Sequence, residues 1–206
     1  SGERVCWRPL FHAALASTPP VKKGLASIAS LARAPGSAIM LVTFVSLIAS
    51  WINWGFGLVI GALFAKQLAR MIKVDYRLLI ASAYSGFVIW HAGISGSIPL
   101  TIATAGHFTE ESIGIVPTSD TIFAFFNIAI VAALLIIMPL VNRAMMPFEK
   151  ESVYVDPALL EEKHTEISDQ PRPAERLENS PILAWVVGLF GLAWLVDHFV
   201  IRGGGL

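Results

Sequence analysis

Asn53 sits between two indoles and two glycines, in the string S-W-I-N-W-G-F-G over residues 50–57. No charged residue occurs around it from Ala34 to Ala65. A second polar string, G-I-S-G-S-I-P-L-T over 93–101, interrupts another charge-free run, Leu78 to Thr109. Neither string pairs a nucleophile with a base. Both supply hydrogen-bonding groups and helix breakers. Gly55 and Gly57 permit a sharp reversal, and Pro99 removes a backbone N–H. A helix broken at membrane depth presents free N–H groups, which attract carboxylates, and unwound carbonyls, which coordinate cations. Asn53, Trp54 and Gly55 in one break, with Ser95, Gly96, Ser97 and Thr101 in the other, are therefore the candidate binding residues for an anionic substrate. Neither run contains a buried Lys or Arg. Use of the same side chains in helix packing is the competing reading of each. His91 lies in the second run and is a candidate for a proton or ion path; packing against Trp90 accounts for it equally well. Trp51, Trp54 and Trp90 are suited either to a pocket for an aliphatic tail or to the core.

Other chemistries lack their residues. No Ser-His-Asp spacing, HExxH or CxxC occurs, so no enzyme is expected. G-F-G-L-V-I-G at 55–61 lacks the strand and the Lys-Ser/Thr pair of a phosphate loop. Cys6 is the single cysteine, which excludes an internal disulfide and a cysteine-rich metal site. Formal net charge is zero, and no basic face points to nucleic acid. No cofactor or metal is expected beyond a coupling H+ or Na+.

The elements that must position these residues follow from where the charges fall. The chain is 55% hydrophobic and 15% charged, with mean hydropathy +0.65. Charge-free runs lie between Arg33 and Lys66, Arg77 and Glu110, Asp120 and Arg143, and Glu178 and Asp197. About 20 apolar residues cross a bilayer as a helix, so the chain reads as a multi-pass membrane protein. Basic residues favour the cytoplasmic side. Lys22, Lys23 and Arg33 precede the first run; Lys66, Arg70, Lys73 and Arg77 follow it. Both clusters stay inside only if the run enters and turns back, with the turn at Ile52–Gly55. Residues 1–19 read as a cut N-terminal segment and 20–35 as an amphipathic interfacial helix with Val21, Leu25, Ile28 and Leu31 on its apolar face. Residues 36–142 form the membrane region: the hairpin, a helix broken near Gly96–Pro99, and a span from Thr121 to Asn142. A cytoplasmic polar loop follows over 143–180, with a short helix in DPALLEEKH capped by Asp156. The last span, 181–206, ends abruptly. The predicted architecture is an all-α membrane protein: a re-entrant helical hairpin, a discontinuous transmembrane helix and two further transmembrane helices, a fragment of a larger transporter fold.

The strings PVKKGLASIASLARAPGSAIMLVTF, INWGFGLVIGALFAKQLAR, DYRLLIASAYSGFVIW, SGSIPLTIAT and MPLVNRAMMP are similar to the bacterial short-chain fatty acid transporter family, from about Ala16 to the C-terminus. The resemblance implies uptake of butyrate- and acetoacetate-like monocarboxylates across the inner (plasma) membrane and further spans; the sequence leaves the oligomeric state open, a homo-oligomer included. More distantly, W-I-N at 51–53 resembles a hairpin-tip motif in which a Ser-Asn-Thr turn helps bind a cation and a carboxylate. Only Asn53 matches that motif; Trp54 and Gly55 replace its hydroxyl pattern. Residues 1–15 depart from the family, which expects a span there. The alternatives carried forward are a dicarboxylate or other organic anion permease, and a membrane subunit with no transport of its own.

Overall fold

The structure, a computed structural model, describes residues 18–160 and 180–201. These residues contain helices and turns and no strand. They fall in two compact units that divide after Glu161. The first holds α1 (Pro19–Ala29), α2 (Pro35–Ile52), α3 (Trp54–Met71), α4 (Tyr76–Ser85), a 3-10 helix over Gly86–Ala92, α5 (Ser97–Ile102), α6 (Glu110–Ile113) and α7 (Phe125–Ala144). The second holds α8 (Pro181–Val196) and a π-helical turn, Asp197–Ile201.

Each boundary has a local cause. Pro35 opens α2, where a missing N–H costs nothing. The Ser37 hydroxyl accepts the N–H groups of Arg33 at 3.1 Å and Ala34 at 3.0 Å. The helix ends at Asn53, whose backbone is extended (φ −152°, ψ 122°). That one residue also caps α3, its Oδ1 accepting the Phe56 N–H at 3.0 Å, the role for which asparagine is favoured. The two arms pack antiparallel. Gly57 faces Ser50 and Gly61 faces Ser46, so closely that a Cβ at either glycine would collide with the opposite arm. Chain reversal at Asn53 thus follows from the extended residue and from two glycines with serines across the seam.

Ile39, Val42, Phe64, Leu68 and Leu79 fill the core between the hairpin and α4. Beside it runs a polar seam of Thr43, Ser46, Ser50 and Ser82, all fully buried. Small side chains allow close helix approach in membranes, where hydrogen bonds join helices. Ser46 donates to the Ala83 carbonyl. Asn142 of α7 donates to Thr43 Oγ1 at 3.0 Å and to Ser85 Oγ at 2.8 Å, joining three helices.

Opposite the hairpin corner, one end of the unit gathers the basic residues. Arg143 lies against Gly36, and Arg70 donates to the Leu160 carbonyl. Asp75 caps α4, accepting Leu78 N–H at 2.8 Å and Val153 N–H at 2.7 Å. Burial pushes the Asp75 carboxyl up, but the N–H donors of Leu78 and Val153 and the Arg77 guanidinium outweigh it and hold it below its ordinary 3.8.

Several expectations shift. Leu31 is 68% exposed, because α1 stops at Ala29; Ala29 and Ala32 are buried instead. The break in the second element lies at Gly93–Gly96, upstream of Pro99. Pro99 is the third residue of α5, where its missing N–H would have lacked a helical partner anyway. The third span starts at Phe125 because Ala124 is extended. DPALLEEKH opens as a 3-10 turn, Pro157–Leu160, with Asp156 Oδ1 accepting Ala158 N–H at 2.9 Å; its remainder, like residues 1–17, lies outside the described residues. Among the described residues three stretches are long and apolar enough to cross a membrane: Pro35–Ile52, Tyr76–Ile102 and Phe125–Ala144. Helix α8 has 16 residues before its π turn.

Asn142→Ala removes two interhelical hydrogen bonds and lowers unfolding stability in micelles by about 1 kcal/mol, read from a denaturation midpoint. Asp75 has its pKa lowered by folding, so its stabilisation is present above pH 3.8 and is lost as pH falls through the folded value. Hydrogen exchange at the Val153 amide accelerates over that acid window, and Asp75→Asn removes the pH dependence.

Candidate functional site

The two breaks meet. The Trp54 N–H, first in α3, donates to Ser95 Oγ at 3.1 Å. The Ile94 N–H donates to the Trp51 carbonyl, the last turn of α2, at 2.8 Å. Gly93 presses on the Trp51 backbone so closely that no Cβ fits. Gly96 N–H closes the turn on the Gly93 carbonyl at 3.0 Å. From α7, Asn127 Nδ2 donates to the Ala92 carbonyl at 3.0 Å and to the Ile122 carbonyl at 2.8 Å. The N–H groups of Trp54, Phe56 and Ile94 and the carbonyls of Trp51 and Ala92 are therefore satisfied across or within the two interruptions, with three short polar side chains, Asn53, Ser95 and Asn127, taking part.

The sequence-predicted residues divide accordingly. Asn53, Trp54, Gly55, Ser95 and Gly96 belong to the junction, and Ser97 follows it as the exposed first residue of α5. Thr101 lies one turn further on, exposed, its hydroxyl donating to the Ser97 carbonyl at 2.7 Å. Asn53 spends its oxygen on the cap, which leaves Nδ2 as a donor. Ser95 likewise accepts from Trp54 and retains its own O–H to donate. His91 is exposed and stacks on Trp90 at 4.2 Å between ring centres, without a hydrogen bond to the junction.

Aromatic rings flank the corner. Trp54 lies 5.5 Å from Trp90 and 6.3 Å from Phe87, and Phe87 lies 4.9 Å from Trp90. The indole N–H groups of Trp51 and Trp90 and the hydroxyl of Ser50 are buried without a hydrogen-bond partner. Asn127 and Ser50 were not among the sequence candidates. Asn127 was visible as an amide near the start of an apolar span, but one of its two partners, Ala92, lies 35 residues away in sequence. The junction thus offers neutral donors and apolar walls. It has no acid–base pair, and among the described residues no group of three His, Cys, Asp or Glu could hold a metal.

The model of a family described as short chain fatty acid transporter matches residues 8–206. The chain belongs to that family. A short-chain fatty acid transporter family member from Escherichia coli (strain K12) is 47% identical over 194 residues, covering 92% of this chain and 44% of that protein. Another from Haemophilus influenzae (strain ATCC 51907 / DSM 11121 / KW20 / Rd) is 42% identical over 204 residues, covering 94% of this chain and 46% of that protein. Both carry short-chain fatty acid transporter as a provisional name. The chain spans less than half the length of these curated relatives. No solved structure matches it. The family is one of transporters, not enzymes.

Ser95→Ala removes the acceptor of the Trp54 N–H. Amide exchange at Trp54 should speed up at least several-fold, with exchange in the lower half of α3 unchanged.

Proposed function

We propose that the protein carrying this chain is a secondary transporter for short-chain monocarboxylates of the butyrate and acetoacetate type, placed in the bacterial inner membrane and driven by a proton or sodium gradient. The observation that carries the reading is the Trp54 N–H to Ser95 Oγ contact, which brings two helix breaks together in a chain of a transporter family. The substrate carboxylate is held there by neutral donors, Asn53 Nδ2 and the hydroxyls of Ser95 and Ser97, with backbone N–H groups near Gly55 and Gly96. Trp54 and Trp90 flank the short tail. Thr101 sits at the margin of this site, and His91 serves at most as a proton relay at its edge. The absence of Lys or Arg from the junction favours a monocarboxylate over a dicarboxylate, whose second charge would need its own partner.

Hairpin α2–α3 is re-entrant in this proposal, because both outer ends share the basic end, which the positive-inside preference places in the cytoplasm together with the polar stretch 143–180. Arm length sets its depth. Eighteen residues rise about 27 Å, nearly the full ~30 Å hydrocarbon thickness. The corner therefore lies toward the far face of the membrane rather than at its middle. The unit proposed to transport is the complete protein, its site shared with further residues.

In proteoliposomes of the complete protein, Asn53→Ser keeps the helix cap and deletes the amide donor. Butyrate uptake should fall about tenfold or more, the loss expected for one good hydrogen bond to a charged ligand. Unchanged uptake removes Asn53 from the site. Competition by excess succinate as strong as that by butyrate would favour the dicarboxylate reading. Single cysteines at 37 and 66 should label from the same membrane face.

A further inference from the structure

Outside the junction, a groove of about 370 Å³ runs between α2 and α7. Met40 and Phe44 form one wall, Leu135, Ile136 and Leu140 the other, and the buried Pro139 ring lies along it. Ser37 is the polar residue of its lining, at the basic end. Arg143 stands at that same end. Its Nη1 lies 3.5 Å from Met40 Sδ, its side chain covers Gly36, and among the described residues it pairs with no carboxylate. The Arg33 N–H donates to Ser37 Oγ, which sets a second exposed guanidinium-bearing residue at the mouth.

We propose that this groove is a binding site for one anionic phospholipid, with an acyl chain lying along α7 and the phosphate on Arg143. Three observations select this occupant. Charge complementarity is the first: an apolar slot that ends on an unpaired guanidinium matches an acyl chain that ends on a phosphate, which guanidinium binds in bidentate fashion. Location is the second. The slot opens at the basic end, and basic pockets between transmembrane helices on the cytoplasmic side accommodate anionic head groups. Size is the third. From Leu135 to Arg143 the groove runs about 12 Å along the helix. An acyl chain is slim enough to lie along it within a space of about 370 Å³. The exposure of Ile136 (65%) and Leu140 (50%) leaves the slot open along its length. Arg143 and the groove take no part in the proposed transport site, and only the argument from location rests on that reading, through its cytoplasmic placement of the basic end.

Native mass spectrometry of the complete, delipidated protein titrated with phosphatidylglycerol or phosphatidylcholine of identical chains tests the site. The wild type should retain one phosphatidylglycerol about tenfold more strongly than phosphatidylcholine. Arg143→Gln should abolish that preference, Arg143→Lys should restore part of it, and Leu140→Trp, which fills the slot, should remove retention of both lipids. Monodisperse elution and an unchanged helical circular-dichroism signal in detergent verify that each variant is folded. Equal retention of the two lipids by the wild type overturns the proposal. So does undiminished phosphatidylglycerol binding in Leu140→Trp, or full competition by glycerol phosphate lacking acyl chains. A disulfide formed between copies by Ile136→Cys would give the groove to a second subunit and overturn it as well.

Discussion

In a hydrocarbon environment every backbone N–H and C=O needs a partner inside the protein, and this constraint shapes the first unit around Asn53. One extended residue ends α2 and begins α3, which frees helix-end groups from both arms. The repair is local and then tertiary. Asn53 takes the Phe56 N–H, Ser95 takes the Trp54 N–H, and the Trp51 carbonyl takes the Ile94 N–H. The broken second element is what supplies the last two of these partners. A straight helix through 93–96 would leave the corner unsatisfied, and a straight hairpin arm would leave Ile94 unsatisfied. The two interruptions therefore stabilise each other.

Close packing makes that repair reachable. Glycines oppose serines along the hairpin, and Gly93 admits the Trp51 backbone. Two hydroxyls of the seam are bonded, Thr43 to the Ile39 carbonyl of its own helix and Ser46 to the Ala83 carbonyl of a neighbour, while those of Ser50 and Ser82 are buried without a partner. Asn142 then ties α7 to α2 and α4. Asp75 fastens the segment after α7 to the start of α4 through Val153. The basic end is held by these polar clamps and the corner end by backbone contacts, while the apolar core lies between. Ring stacking at Trp54, Phe87 and Trp90 adds a wall to the corner without using a charge.

Much of this was legible in the sequence because charge placement and helix breakers act locally. Four charge-free runs located the apolar helices, and Asn53 with its glycines located the reversal within Ile52–Gly55. The helix start capped by Asp156 is a 3-10 turn over Pro157–Leu160 in the described residues. Pro99 misled, since a proline reads as a break wherever a helix is expected to continue, and here it lies in the first turn of a new one. Tightening of residues 86–92 into a 3-10 helix left no trace in sequence, because it accompanies contacts of Gly86 with Ser46 and of Gly93 with Trp51. The meeting of the breaks was expected from two interruptions of similar kind, but its atoms were not. Trp54 and Ser95 are 41 residues apart, and no local pattern encodes which hydroxyl meets which N–H. Asn127 was passed over for the same reason.

The central claim is that the chain doubles back at Asn53. A pair of spin labels at positions 37 and 66 of the complete protein in lipid measures it directly by dipolar spectroscopy. Antiparallel arms place the labels within about 20 Å, given helix spacings of 8–10 Å and label length. A continuous helix through Asn53 would separate them by about 44 Å at 1.5 Å per residue, and a distance near that value would contradict the account.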